Sequence, residues 1–445
     1  MRFSDFENRI QKQFPSDWQE FLASLEKEPI TSIRYNPRKV KGEINANIPW
    51  ALNGKYLDER PIFTFDPLFH LGDYYVQESS SMFIDYILSQ IKNEISLNKV
   101  LDLCAAPGGK STIVLDHLES HQFLISNELI SQRNLVLREN LTKWGYPNFL
   151  IIENKPADFK SFNQYFDCIL LDAPCSGEGL FRKDKNARDE WSLGVANMCS
   201  ERQYDIFKSI WSSLKEGGIM IYSTCTYNPD ENELLLEKLL SDGFLFETIE
   251  IEIKDEWNID TIYTQNTTGY RFLPHKMKGE GFFCSVLRKK GHYISPLKKP
   301  TKDHINPWLL QYLDSNLLKG HSSYKFKNSL FLAPSNLLDE LPLLSNQFYV
   351  KQIGIEVGRY KGVEIEPQQG LALLMHEKKG LPLVDLNLEQ ALVYLSLEEL
   401  NLNLSDGLHL LTYENQTLGF AKVEKSKFFN LYPSGWKIRS KLGYK

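Results

Sequence analysis

The sequence predicts an α/β chain: a mostly parallel sheet wound by helices, with an N-terminal α+β extension before it and a β-rich C-terminal module after it. Three observations carry that expectation. From about residue 97, short apolar runs alternate with helix-length segments, the signature of repeated β-α-β units. The runs, Cys168–Leu171 above all, are continuously apolar, as strands covered on both faces are. Past residue 385, alternation of period two replaces the helical segments.

Residues 1–95 begin with a helix-like segment and pass through Pro37, Pro49, Pro61 and Pro67. They end in HLGDYYVQESSSMFIDYILSQI, where Ser79–Ser81 can cap an amphipathic helix from Met82 to Ile91. The central region, 96–290, reads as strands at Val100–Cys104, Phe123–Asn127, Phe149–Ile152, Cys168–Leu171, Gly218–Tyr222 and Gly281–Leu287. Helices are expected at Ser111–Leu118, Ser131–Trp144 and Glu201–Leu214. Residues 291–305 are polar and basic, contain Pro296 and Pro300, and read as a linker. An intermediate domain over 306–384 then precedes a β-rich module over 385–445, with a hairpin turn at Glu414-Asn415-Gln416.

Composition narrows the function class. The apolar and charged fractions are those of a soluble globular protein. No apolar run is long enough to span a bilayer, and the N-terminus lacks the apolar core of a signal peptide, so no membrane partner is expected. The six cysteines are scattered, with no metal-ligand spacing, so no metal is expected and the thiols are read as reduced and cytosolic. The net charge is −6, yet the cations are segregated. Residues 271–303 hold nine Lys/Arg against Glu280 and Asp303, and residues 421–445 hold seven against Glu424. A phosphate-binding surface on an acidic body has that distribution, and so do solvated lysines of a linker and a tail.

Three motifs carry the chemistry. The first is Val100-Leu-Asp-Leu-Cys-Ala-Ala-Pro-Gly-Gly-Lys110, a strand running into a glycine turn that opens a helix, with Glu128 following the second strand. Doubly wound folds bind nucleotide-like cofactors at such a turn and hold ribose hydroxyls with such an acid; a simple tight turn reads the same way. A phosphate loop is excluded, because Cys104 stands where its first glycine belongs and Pro107 removes an N–H. The second motif, Asp172-Ala-Pro-Cys-Ser-Gly177, leaves the fourth strand, and the third, Ser223-Thr-Cys-Thr-Tyr-Asn-Pro229, leaves the fifth. Adjacent parallel strands would bring Cys175 and Cys225 to one pocket, and on position alone either could be the nucleophile.

These segments resemble the Sun/Nop family of RNA cytosine-5 methyltransferases. The resemblance runs densely from residue 30 to 290 through CAAPGGK, DAPCSGEG, STCTYNPDENE, YYVQESSSM and GYRFLPHKMKGEGFF. LGFAKVEKSKFFNLYP is similar to the PUA-like RNA-binding module of the bacterial branch that methylates 16S ribosomal RNA. The resemblance implies a Rossmann-like class I methyltransferase core with a mostly parallel seven-stranded sheet, and S-adenosyl-L-methionine as cofactor. Cys104, Ala105, Ala106, Pro107, Gly108, Gly109 and Lys110 would wrap the methionine part of the cofactor, and Glu128 would hold its ribose. Asn154, with Asp158 as the alternative, would meet the adenine, and Asp172 would stand between cofactor and base. Cys225 would be the nucleophile and Cys175 its helper. The implied partner is 16S rRNA, bare or within the small subunit, with transfer RNA second, and a cytoplasmic monomer is expected.

Cytosine C5 is a poor nucleophile, which is why the chemistry needs a thiol. A thiolate added to C6 makes C5 enamine-like and able to take a methyl group. A proton or hydrogen bond at the N3/N4 edge, expected from Asp172, favours addition. The target base must leave its stack, with the 271–303 stretch, including Tyr270 and Phe272, and the PUA-like module as expected RNA grips. A binding-only assembly factor on the same scaffold would need neither cysteine.

Overall fold

The computed structural model describes residues 2–40, 43–292, 302–375 and 378–440. Its centre is one ten-stranded sheet. The chain lays down β1 (Lys99–Asp102), α1 (Gly109–His117), β2 (Phe123–Asn127), α2 (Ser131–Trp144), β3 (Phe149–Ile152) and β4 (Phe166–Asp172). Then come α3 (Leu193–Ile210), β5 (Leu214–Thr224), α4 (Glu233–Ser241), β6 (Phe246–Thr248), β7 (Asp260–Tyr263), β8 (Thr268–Phe272) and β9 (Phe282–Lys289). The last strand, β10, is Val350–Ile353. The order is β7-β8-β9-β5-β4-β1-β2-β3-β10, with β6 also pairing β9. β1 to β5 pair in parallel, whereas β9 runs antiparallel to β5 and β8. The order reverses between β1 and β4, and such a switch point opens a crevice at the strands' carboxyl ends.

Both faces of the parallel strands are covered, which explains their unbroken apolar runs. Val100, Leu124, Phe149, Cys168, Leu170 and Ile221 face one core, and Leu101, Ile125, Leu150, Ile169, Leu171 and Met220 face the other. Three expectations shift. The third helix spans Leu193–Ile210, not Glu201–Leu214, because Ser192 caps it by accepting from Val195 N at 3.2 Å. Leu214 belongs instead to β5, which is longer than the Gly218–Tyr222 expected. The sheet also has ten strands rather than seven and is mixed rather than mostly parallel; among the additions, β10 from the intermediate region joins its edge beside β3, antiparallel.

The N-terminal extension carries an antiparallel sheet of Gly54–Leu57, Thr31–Tyr35 and Tyr74–Val76. Phe83–Ile91 forms the expected amphipathic helix, buried through Phe83, Ile84, Ile87, Leu88 and Ile91, but no serine caps it: Met82 is its N-cap and Ser80–Met82 form a 3-10 turn before it. The intermediate region builds a four-stranded antiparallel sheet between His321 and Pro367. The C-terminal module pairs Leu383–Asp385, Gly407–Tyr413, Gln416–Glu424 and Lys427–Asn430, and its hairpin turns at Glu414 and Asn415, both left-handed. Of the linker expected at 291–305, residues 293–301, with Lys298 and Lys299, lie outside the described residues, as do Lys441 and Lys445.

Two buried histidines set an acid limit on this assembly. Burial pushes the His70 imidazole down to about 4, with Lys143 adding to it, and burial, with Arg38 adding to it, does the same at His321. The unfolded chain, with histidines near 6.5, takes up these protons first. Stability from both is therefore full above about pH 6.5 and drains as pH falls toward about 4. Urea midpoints followed from neutral pH into that range should fall, and fall less in a His70→Gln/His321→Gln variant.

Candidate active site

The turn after β1 is shaped by backbone. Ala105 N donates to Asn127 O at 2.9 Å, and Gly108 has φ +116°, a conformation that excludes side chains in practice. Gly109 then opens α1, and a Cβ there would come 3.3 Å from the Tyr75 ring of the N-terminal extension. Behind the turn, Ser111 Oγ donates to Asp102 Oδ2 at 2.7 Å. Asp102 Oδ1 is buried without a partner, and burial pushes this carboxyl up to about 7. A buried acceptor left open beside a glycine cradle suits a ligand that brings a donor.

Glu128 stands at the end of β2, buried, its Oε1 accepting from Ile130 N at 2.9 Å. Arg133, which the motifs did not single out, lies 3.4 Å from Glu128 Oε2 and donates to Ala106 O at 2.6 Å, so it bridges acid and turn. Asn154 and Asp158, the alternatives for the adenine end, are joined: Asn154 Nδ2 donates to Asp158 Oδ2 at 2.9 Å. Asn154 Oδ1 meanwhile accepts from Tyr349 N at 2.9 Å, so the amide also ties β3 to the start of β10. Beside them is a cleft of about 480 Å³ in which Leu129, Pro156, Ala157, Met198 and Ile206 form the apolar part of the lining and Lys155, Glu201, Arg202, Asp205 and Ser209 the polar part. Leu129 and Met198 are half exposed there.

The cysteine loops meet at the switch-point crevice. Cys175 Sγ and Cys225 Sγ are 3.2 Å apart, both free thiols and both partly exposed. The Cys175 thiol is pushed well above the ordinary range, first by its hydrogen bond to Cys225 and then by burial. Asp172 closes β4 with both oxygens engaged: Oδ1 accepts from Ser223 Oγ at 2.9 Å and Oδ2 from Lys110 Nζ at 2.8 Å. Lys110 therefore turns from the cofactor turn toward the cysteine loops. Burial pulls its ammonium down, but Asp172 outweighs burial, and Cys225 lies close enough to add to the upward shift.

Other groups brace the loops. Glu231 accepts from Ser176 N at 2.9 Å, Ser176 Oγ at 2.5 Å and Gln203 Nε2 at 3.0 Å, holding the Cys175 loop to the segment after Cys225. Glu231 lies inside the STCTYNPDENE motif, but nothing local marks it as different from Asp230 or Glu233.

The expected basic RNA grip over 271–303 loses part of its described residues to the interior, while Lys278, Lys290 and Lys302 stay exposed. Tyr270 and Phe272 are core residues, Tyr270 through its hydroxyl to Ile251 backbone, so neither can stack on a base. Arg271 is buried against Glu233 at 2.5 Å, Lys276 pairs with Asp260 at 2.7 Å, Arg288 pairs with Glu94, and Lys289 caps the carbonyls of Trp211 and Leu214. Internal partners, invisible to a charge count, consume these cations. In the C-terminal module Lys422 pairs with Glu424, while exposed Lys427 rests 5.3 Å from the Phe429 ring.

The doubly wound sheet, its glycine turn and its strand order define a Rossmann-like methyltransferase scaffold. A solved methyltransferase homolog protein from Pyrococcus horikoshii shares it, with a TM-score of 0.53 and 25% identity over 63% of this chain and 93% of its own. Residues 86–288 match the model of 16S rRNA methyltransferase RsmB/F, residues 4–79 the N-terminal domain of 16S rRNA methyltransferase RsmF, and residues 382–438 the methyltransferase RsmF PUA domain. The chain belongs to the RsmB/F family of 16S rRNA methyltransferases. It is 29% identical to ribosomal RNA small subunit methyltransferase F of Shewanella woodyi, over 96% of this chain and 95% of that protein. The Pectobacterium carotovorum protein of the same name is 34% identical, but the match spans 63% of this chain and only 60% of that protein.

Proposed function

We propose that this protein methylates carbon 5 of a cytidine in 16S ribosomal RNA, in the cytoplasm, with S-adenosyl-L-methionine as methyl donor. The observation that carries the reading is the thiol pair, 3.2 Å apart, beside the Lys110–Asp172 pair. A methyltransferase acting on an already nucleophilic oxygen or nitrogen needs neither thiol. The 16S assignment rests on the RsmB/F family and on relatives that carry small-subunit rRNA in their names.

The residues present fit the cofactor. The Cys104–Lys110 turn with its left-handed Gly108 would take the methionine part, Glu128 the ribose, and the cleft at Leu129, Pro156 and Met198, beside Asn154, the adenine. Bound there, the cofactor supplies an electrophilic methyl group on a sulfonium. Cys225, 3.2 Å from Cys175 and close enough to Lys110 to interact with its charge, is the sulfur that attacks, as its thiolate. Its sulfur bonds to C6 and the electron pair of the 5,6 double bond passes to C5, where the methyl is received. Lys110 and Asp172 together bring one donor and one acceptor to the N3/N4 edge of the base. Once the C5 proton has left to a base, the C6–S bond breaks, and Cys175 can supply the proton that the departing Cys225 sulfur takes up.

Bisulfite sequencing of 16S rRNA from cells with and without the gene tests the function. One protected cytidine should become convertible in its absence, and return with the intact gene only. Unchanged protection throughout the small-subunit RNA overturns the reading.

A further inference from the structure

We infer that Arg9 and Glu178 are positioning residues that hold the two cysteine loops in register, which makes the N-terminal helix a working part of the active site. The inference rests on the roles proposed above for Cys225 and Cys175. Glu178 follows Cys175 by three positions, and its carboxylate is sealed from solvent. Oε1 accepts from Arg9 Nη2 at 2.5 Å and from Trp191 Nε1 at 3.0 Å. Oε2 accepts from the backbone N–H of Tyr227 at 3.2 Å, two positions after Cys225. The next residue completes the grip: Gly179 N donates to Cys225 O at 2.8 Å, and a Cβ on Gly179 would stand 2.8 Å from that same oxygen. Residues 178 and 179 of one cysteine loop thus hold the backbone of the other on both sides of Thr226.

The cation comes from far along the chain, on the helix Arg2–Gln13. Arg9 Nη1 donates to Gln13 Oε1 at 2.7 Å, and Gln13 Nε2 donates to Tyr227 O at 2.8 Å, so the helix holds Tyr227 directly as well as through Glu178. Rings lock the arrangement. Phe6 lies edge-on to Phe181 at 5.0 Å and to Trp191 at 5.5 Å, and Phe21 meets Tyr227 at 4.8 Å. A buried carboxylate that loses its cation must take a proton or admit water. Either event loosens its hold on Tyr227 N–H, and Cys225 shifts relative to Cys175 and Lys110.

The test uses the full-length protein with Arg9→Ala, Arg9→Lys and Glu178→Gln. Three quantities are read: steady-state methylation of a 16S rRNA transcript, cofactor affinity by calorimetry, and the pH profile of Cys225 alkylation by iodoacetamide, followed by peptide mass spectrometry. Because a displacement on the order of 1 Å can cost up to about a hundredfold in rate, Arg9→Ala should lower kcat about tenfold to a hundredfold. KM for RNA and cofactor affinity should hold, the alkylation profile of Cys225 should move, and Arg9→Lys should recover most of the rate. Parent-like kcat in Arg9→Ala, or an unmoved alkylation profile, overturns the inference. Should Arg9→Ala fail to fold, Glu178→Gln, which keeps the buried shape, takes its place: a lowered kcat with a moved profile supports the inference, and parent-like behaviour in either overturns it. If the parent protein itself does not methylate the transcript, the proposed function fails, while the alkylation profiles still decide whether the clamp sets the cysteine.

Discussion

Cys225→Ala is expected to abolish both methyl transfer and covalent capture of RNA carrying 5-fluorocytidine at the target, with a rate loss of at least about 10³-fold, roughly 4 kcal/mol of barrier. The trap works because fluorine at C5 leaves no proton to remove, so the C6–S bond cannot break. Cys175→Ala should behave in the opposite way. The attacking sulfur remains, adduct forms on ordinary RNA, and its release is slow, so a protein–RNA species should accumulate on denaturing gels. The structural grounds are asymmetric. The Cys175 thiol is pushed up by its hydrogen bond to Cys225 and by burial. Cys225 is the thiol that lies within reach of the Lys110 charge. Accumulation in Cys225→Ala together with loss of adduct in Cys175→Ala would reverse the two roles.

The second large effect concerns stability. Arg34→Met should cost about 3–5 kcal/mol in urea unfolding, the usual consequence of leaving one half of a buried ion pair behind. Arg34 is 1% exposed on the strand Thr31–Tyr35 and pairs with Asp116 of α1. It also donates to Gln77 Oε1 at 2.9 Å and Thr112 Oγ1 at 2.5 Å, and its guanidinium lies 4.6 Å from the Trp144 ring. The Asp116 carboxyl is already pushed up by burial and restrained chiefly by Arg34. Without Arg34 it keeps the Trp144 Nε1 hydrogen bond at 2.8 Å but loses its counter-charge. Adding Asp116→Leu should restore part of the loss, because the orphaned charge, not the missing attraction, dominates. A loss below about 1 kcal/mol would show that the N-terminal extension is not anchored through this pair.

Much of this was legible in the chain. The parallel strands announce themselves because both faces are covered, so their runs are apolar without alternation: Phe123–Asn127 and Phe149–Ile152 fall where expected. The positions of Cys175 and Cys225 follow from the same pattern, since each motif begins where a strand ends. Local turn chemistry was also readable, in the left-handed Gly108 and in the Glu414-Asn415 hairpin. Less readable was β10, four residues whose strand partner, β3, lies some 200 positions earlier.

The sequence by itself determined most strands of the sheet, its glycine turn and the two cysteine loops, because period and turn residues are local properties. Tertiary structure alone decided partnership. It turned Lys110 from the cofactor turn onto Asp172, engaged Asn154 with Tyr349, gave Arg271 to Glu233, buried Tyr270, and set Arg9 against Glu178 across 169 residues. A charge or an amide carries no local sign of the group that will satisfy it. That choice is made by burial, which requires a partner for every polar atom but does not say from where in the chain it comes.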